Sequence, residues 1–110
     1  MKKENINTGN FIEKITWMQP VAAKDSFAQT KRTFTQYKTD FVQVDPVKIE
    51  ERPMAQRVQY IKTISVTAFY DPAINSKYQI TYENDTYNIL EIEPVNFKTF
   101  MRVVAIKLED

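Results

Sequence analysis

Apolar residues recur at every second position along much of the chain, the period of a half-buried β-strand. The clearest case is Val58 to Tyr70. Ile64, Val66, Ala68 and Tyr70 fall on one face, and Thr63, Ser65 and Thr67 on the other. Near the start, Phe11, Glu13, Ile15 and Trp17 share a face, with Gln19-Pro20 predicted to close that strand. Thr33 to Val44 is rich in threonine and aromatics and reads as a strand with a break at Thr39-Asp40. Tyr78–Tyr82 and Tyr87–Glu93 read as two strands joined by a hairpin turn over Glu83–Thr86. In the last strand, Phe100, Arg102, Val104, Ile106 and Leu108 alternate with Met101, Val103, Ala105 and Lys107. Both faces are largely apolar, so this strand is expected to be covered on both sides.

Between these runs lie segments without a clear period. Residues 1–8 are polar and read as an N-terminal arm. Residues 21–33 read as a long hairpin or Ω-type connection. Asp45-Pro46 is a turn signal, and residues 46–57 fit a loop or a short helix starting near Pro53. Residues 94–98 read as a loop. About six strands with no persuasive long helix predict an all-β fold: a small antiparallel barrel with long loops, one domain over residues 1–110.

Composition narrows the chemistry. Cysteine and histidine are both absent, which removes disulfides, thiolate metal sites and the commonest general base. A single glycine, Gly9, cannot build a phosphate-binding loop. Turns that need positive φ must then use Asn or Asp; Asn84-Asp85 and Asn75-Ser76 are the candidates. Glu50-Glu51 and the pair Glu91 and Glu93 are the close carboxylate sets, and the plain reading of the latter is a solvated strand face. No catalytic constellation, metal site or cofactor is expected, and an enzyme ranks last. The start of the chain lacks an apolar signal-peptide core and no run is long enough to span a bilayer, so a soluble protein without a membrane partner is expected.

The net charge is +1, far from the excess of a dedicated nucleic-acid-binding domain. Lys48, Arg52, Arg57 and Lys62 cluster loosely; they suit a loop facing DNA phosphates, or ordinary surface charge interleaved with Glu50 and Glu51. Trp17 reads as core rather than as an interface anchor, and Tyr82 and Tyr87 as cross-strand packing rather than a base-stacking platform.

Taken in order, these segments resemble the phage head–tail joining family, the head-closure or stopper proteins. Gly9 to Pro20 resembles that family's first strand, opening on glycine and ending in a polar residue and proline. Thr35–Tyr37 through Phe41–Pro46 resembles its second strand region. Thr63–Thr67 with Tyr70–Ile74 resembles its central strand and bend, and Tyr82 to Ile89 its late hairpin. The chain departs at Ala68, where the family commonly has arginine before an aromatic, and at Asn84-Asp85, where the hairpin commonly has glycine.

The resemblance implies a structural virion protein, a subunit of a ring at the neck between head and tail, assembled in the host cytoplasm. Its partners would be itself, portal or adaptor proteins, tail-completion proteins and packaged double-stranded DNA in the channel. Residues 46–60 would be the channel loop, with Lys48, Arg52 and Arg57 facing DNA. Asn5, Ile6, Asn7 and Thr8 would form an assembly arm, with residues 1–10 ordering only on assembly. The competing readings are a tail-completion or terminator component of the neck and an OB-like nucleic-acid-binding module.

Overall fold

The computed structural model describes residues 4–24, 30–45, 48–54 and 57–109; within these, residues 22–24, 30–32, 52, 54, 57 and 108–109 are described by their backbone alone. The elements are a short 3-10 turn, Thr8–Asn10, and seven strands among the described residues: β1 Glu13–Lys24, β2 Thr30–Val44, β3 Lys48–Met54, β4 Arg57–Phe69, β5 Gln79–Tyr82, β6 Asp85–Val95 and β7 Phe100–Glu109. The strands follow one another in the sheet as β2-β1-β5-β6-β7-β4-β3, every pair antiparallel. A further pairing, Gln43↔Thr67 and Val44↔Val66, joins β2 to β4 and closes six strands into a ring. The predicted all-β class forms, as an antiparallel sheet closed into a ring. Closure removes most of the exposed edge that an open sheet of this size would carry.

The inward face of the ring carries the core. Ile15, Trp17, Val42, Ile64, Val66, Ala68, Ile80, Tyr87, Ile89, Met101, Val103 and Ala105 are buried there, with Ile74 and Tyr78 from the β4–β5 connection. Ile64, Val66 and Ala68 of β4 are buried as predicted, but Thr67 and Ile61 of the opposite face are buried as well; Trp17 is fully buried. Trp17 Nε1–H has no hydrogen-bond partner among the described residues. Among the described residues, the interior of the ring is filled by these side chains.

Several boundaries differ from expectation, each for a physical reason. β1 runs through Pro20 to Lys24, because β5 pairs only with Thr16–Met18 and beyond them that side of β1 is an edge, where proline is tolerated. Pro53 sits in edge strand β3, and Pro94 sits on β6 beyond the reach of β5. β2 has no break at Thr39-Asp40; it has a bulge instead. Trp17 pairs with Lys38 and Met18 with Gln36, which leaves Tyr37 as the extra residue. Phe11 leaves the face it shares with Ile15 in the sequence pattern. The 3-10 turn sends it to the outside of the ring, against Phe69 and Phe100.

Residues 46–57, expected as a loop or helix start, and with them the channel loop expected at 46–60, are largely a β-hairpin. Lys48 pairs with Thr63, Arg52 with Gln59 and Met54 with Arg57. Residues 46–47 and 55–56 lie outside the described residues. Three residues separate Val44 from Lys48 but two separate Thr63 from Val66, so β3 continues the line of β2 along β4 with one residue added. The β1–β2 and β3–β4 hairpins run past the ring in opposite directions. The radius of gyration, 15.8 Å, accordingly exceeds the ~13 Å of a compact domain of this length. Among the described residues, no helix is long and apolar enough to cross a membrane.

Candidate functional site

Ion clusters lie on either side of the core. The β2 bulge lets neighbouring residues Tyr37 and Lys38 reach one carboxylate: the Tyr37 hydroxyl donates to Asp71 Oδ2 at 3.0 Å, and Lys38 Nζ lies 3.0 Å from the same oxygen. Asp71 Oδ1 accepts the Ala73 N–H at 2.9 Å. Desolvation opposes the charge on Asp71, but the Ala73 N–H, Lys38 and Tyr37 together hold its carboxyl below the usual range. The same hydrogen bond to Asp71 raises the Tyr37 hydroxyl. Tyr37 and Tyr78 meet edge-to-face at 5.6 Å. Elsewhere Lys62 and Lys107 stand directly opposite each other on β4 and β7, and Asp85 at the start of β6 pairs with both. Lys107, then Lys62, lower its carboxyl from the usual range. Lys62, grouped in the sequence with Lys48, Arg52 and Arg57, is thus engaged within the subunit. Glu13, which interrupts the apolar face of β1, accepts from the Tyr82 hydroxyl at 3.3 Å. Burial first, and then the Glu13 charge, push that hydroxyl up to about 12.

The N-terminal segment is docked on the outside of the ring. Glu4 N–H donates to Asn96 Oδ1 at 2.6 Å and Asn96 Nδ2 donates back to Glu4 O at 2.8 Å. Arg102 grips the Glu4 carboxylate with both terminal nitrogens, at 2.9 and 2.7 Å. Asn7 caps the 3-10 turn by accepting the Gly9 N–H. Asn5, Ile6, Asn7 and Thr8 run from docked Glu4 into the 3-10 turn, in a strap on the outside of their own subunit. Residues 1–3 lie outside the described residues.

The strap holds an unusual turn. Asn96, Phe97 and Lys98, between β6 and β7, all have positive φ, at 52°, 56° and 66°. Three successive left-handed residues without glycine are costly, by roughly 1–2 kcal/mol each. Residues 94–98 read as a loop in the sequence, but Pro94 and Val95 belong to β6, and Asn96 is not among the positive-φ candidates that the sequence offers. Of the turns that were marked, the β5–β6 hairpin puts Glu83 and Asn84 at positive φ, one residue before the expected Asn84-Asp85, because Asp85 already pairs with Tyr82. Asn75 instead accepts the Lys77 N–H with its side chain.

The left-handed turn sits in an aromatic surface. Phe69 and Phe100 are cross-strand partners stacked at 5.4 Å, and Phe11 meets them edge-on at 5.2 and 5.9 Å. A groove of about 320 Å³ is lined by Asn96, Phe97, Thr99 and Phe100. Of the sequence-predicted DNA-channel residues, Lys48 is exposed on β3; Arg52 and Arg57 lie on the same hairpin, with only their backbone described. The hairpin groups all three, away from the strap. Glu91 and Glu93 are exposed, as a solvated face requires. Tyr87 is core and pairs with Ile80, so Tyr82 and Tyr87 form no stacking platform.

The fold and sequence have known relatives. One solved structure, a protein of Shigella flexneri 2a, matches with a TM-score of 0.64 at 16% identity, over 91% of this chain and 95% of that one. A chain of the virion of a native gene transfer agent particle matches with a TM-score of 0.63 at 12% identity, over 87% and 93%. At these identities the likeness is one of fold. No curated protein matches. The family model of the phage head completion protein matches residues 6–108, nearly the whole chain. The chain belongs to the phage head completion protein family.

Proposed function

We propose that this chain is a head-closure, or stopper, subunit: copies form a ring at the neck, between portal or adaptor and tail, and help retain packaged DNA. Membership of a structural virion family gives it a role in head completion. The observation that carries the finer reading is the β3–β4 hairpin, which extends past the ring and gathers Lys48, Arg52 and Arg57 on one projecting element. In a ring of copies such a hairpin can reach a central channel and meet DNA phosphates, a steric and electrostatic contact with no bond made or broken. The packed interior favours this arrangement, because any passage for DNA must then run between subunits. The strap residues Asn5 to Thr8 lie on the outer surface, where they can also contribute to contacts with a neighbour.

Purified particles, analysed by mass spectrometry and by imaging of the neck, test the proposal. A ring of this chain between portal and tail is expected. Its absence from every particle would reject the connector reading and favour salt-sensitive DNA binding by the monomer. Particles with Lys48, Arg52 and Arg57 all changed to Ala are expected to assemble but lose DNA. Full DNA retention would remove the channel role from these residues.

A further inference from the structure

The two faces of the ring are anomalous in complementary ways. The register sets Ile49 opposite Lys62, Glu51 opposite Tyr60 and Pro53 opposite Val58. Partners in an antiparallel pair share a face, and Lys62 is on the face of Ile64, the inward one. These residues therefore continue the core face of the ring onto the β3–β4 hairpin, past the point where other strands lie across from it. Ile49, Val58 and Tyr60 have core character without a core and are 61%, 41% and 38% exposed. The outward face, which in a small barrel should be polar, is aromatic at the other end of β4. Phe69, Phe97, Phe41 and Ile12 are 49%, 75%, 58% and 72% exposed there. Gln43 pairs with Thr67, and that register continued by two residues sets Phe41 opposite Phe69. Phe97 shares its groove with Phe100, which stacks on Phe69.

We infer that the β3–β4 hairpin of one copy lays its inward face, Ile49, Val58 and Tyr60, over the outward Phe41–Phe69–Phe97 surface of the next copy. The inference deepens the ring reading and rests on it. A ring requires two different, mutually fitting surfaces on each subunit, set apart so that the contact propagates. Tyr60 and Phe69 stand nine residues apart on one strand, about 30 Å, which meets that requirement. The charges fit as well. Exposed Glu51 lies on the hairpin face, opposite Tyr60; exposed Lys14, opposite Phe41, and exposed Lys98, beside Phe97, lie by the aromatic surface. With about 200 Å² per large side chain, the exposed parts of these seven apolar residues amount to roughly 750 Å². That is about half of the ~1,600 Å² in a standard specific interface. The strained turn gains a purpose in this arrangement, since a left-handed loop pinned by Glu4 holds Phe97 out from the surface instead of folding it inward.

The absence of cysteine allows a direct test. The full chain carrying both Glu51→Cys and Lys98→Cys is oxidised in purified particles and run without reductant. These positions are at opposite ends of the subunit, so any bond between them joins copies. A ladder of multimers, absent in either single variant and lost when Tyr60→Ser or Phe97→Ser is added, is the expected result. Circular dichroism checks that both Ser variants remain folded. A ring seen by imaging without the ladder would overturn this pairing of surfaces and leave the ring reading standing. No ring in any particle would overturn both.

Discussion

Removal of residues 1–10 measures what the strap contributes to the subunit alone. The deletion takes away the paired Arg102–Glu4 contact, whose side chains are 31% and 37% exposed. Solvent screening holds such a pair to about 0.5–1 kcal/mol. It also removes both hydrogen bonds between Asn96 and the Glu4 backbone, together about 1–2 kcal/mol net. Phe11 would become the chain terminus and lose part of its edge-on packing against Phe69 and Phe100, roughly 0.5 kcal/mol. Relaxation of the left-handed turn at Asn96–Lys98 offsets a fraction of this. The expected cost is about 2–3 kcal/mol, against the ~5–15 kcal/mol stability of a typical domain, so the shortened chain still folds. Urea unfolding of purified monomer should show the midpoint fall with an unchanged slope, and Tm should drop by about 10 °C. The amide of Thr99, which donates to Asn96 O, should exchange faster. A change below about 0.5 kcal/mol would refute the strap as a stabilising element, and the N-terminus would revert to a free arm.

Three further outcomes are expected. Trp17→Phe should change stability by less than about 1 kcal/mol, because the cavity it leaves is offset by loss of a buried indole N–H without a partner; a cost above about 2 kcal/mol in urea unfolding would mean that the N–H is satisfied. Trp17→Ala should cost about 3–5 kcal/mol. Asp71 and Asp85 both have carboxyls held below their usual value, so each contributes stability that is present above the ordinary carboxyl range and lost as pH falls through its folded value. The urea midpoint should therefore decline below about pH 4, and Asp71→Asn with Asp85→Asn should flatten that decline; an equally steep fall in the double variant would contradict the assignment.

Where a residue's partner is close in sequence, or its face is simply in or out, the fold was legible. The alternation Ile64, Val66, Ala68 needs nothing but period and hydropathy, and Trp17 on an apolar face has nowhere to go but the core. The Tyr82–Asp85 hairpin shows itself because Asn84 is one of few residues in a chain with one glycine that accept positive φ cheaply. The remainder depends on distant partners. Closure of the ring rests on Gln43 and Val44 meeting Thr67 and Val66, which no local pattern encodes. The strap depends on Glu4 meeting Arg102, 98 residues away. Strand β3 reads as loop because an edge strand beside water can carry Lys, Glu and Arg in succession, and its alternation is diluted by those charges. The left-handed turn was hidden because Asn96 is held by the strap and Phe97 has no intrinsic preference for that conformation.

The pairing of the cations separates the proposed connector from an OB-like binder. Most described cations on the ring are committed internally: Lys38 to Asp71, Lys62 and Lys107 to Asp85, Arg102 to Glu4. With a net charge of +1, a monomer has little left with which to release counterions from DNA. Three cations on one hairpin are weak alone, but a ring multiplies them by its copy number and faces them all toward one duplex. The salt dependence of DNA retention should then scale with the ring, while the isolated chain binds DNA feebly at the same ionic strength. Tight, salt-sensitive binding by the monomer would place the contact on a surface other than this hairpin, because these residues cannot supply it singly.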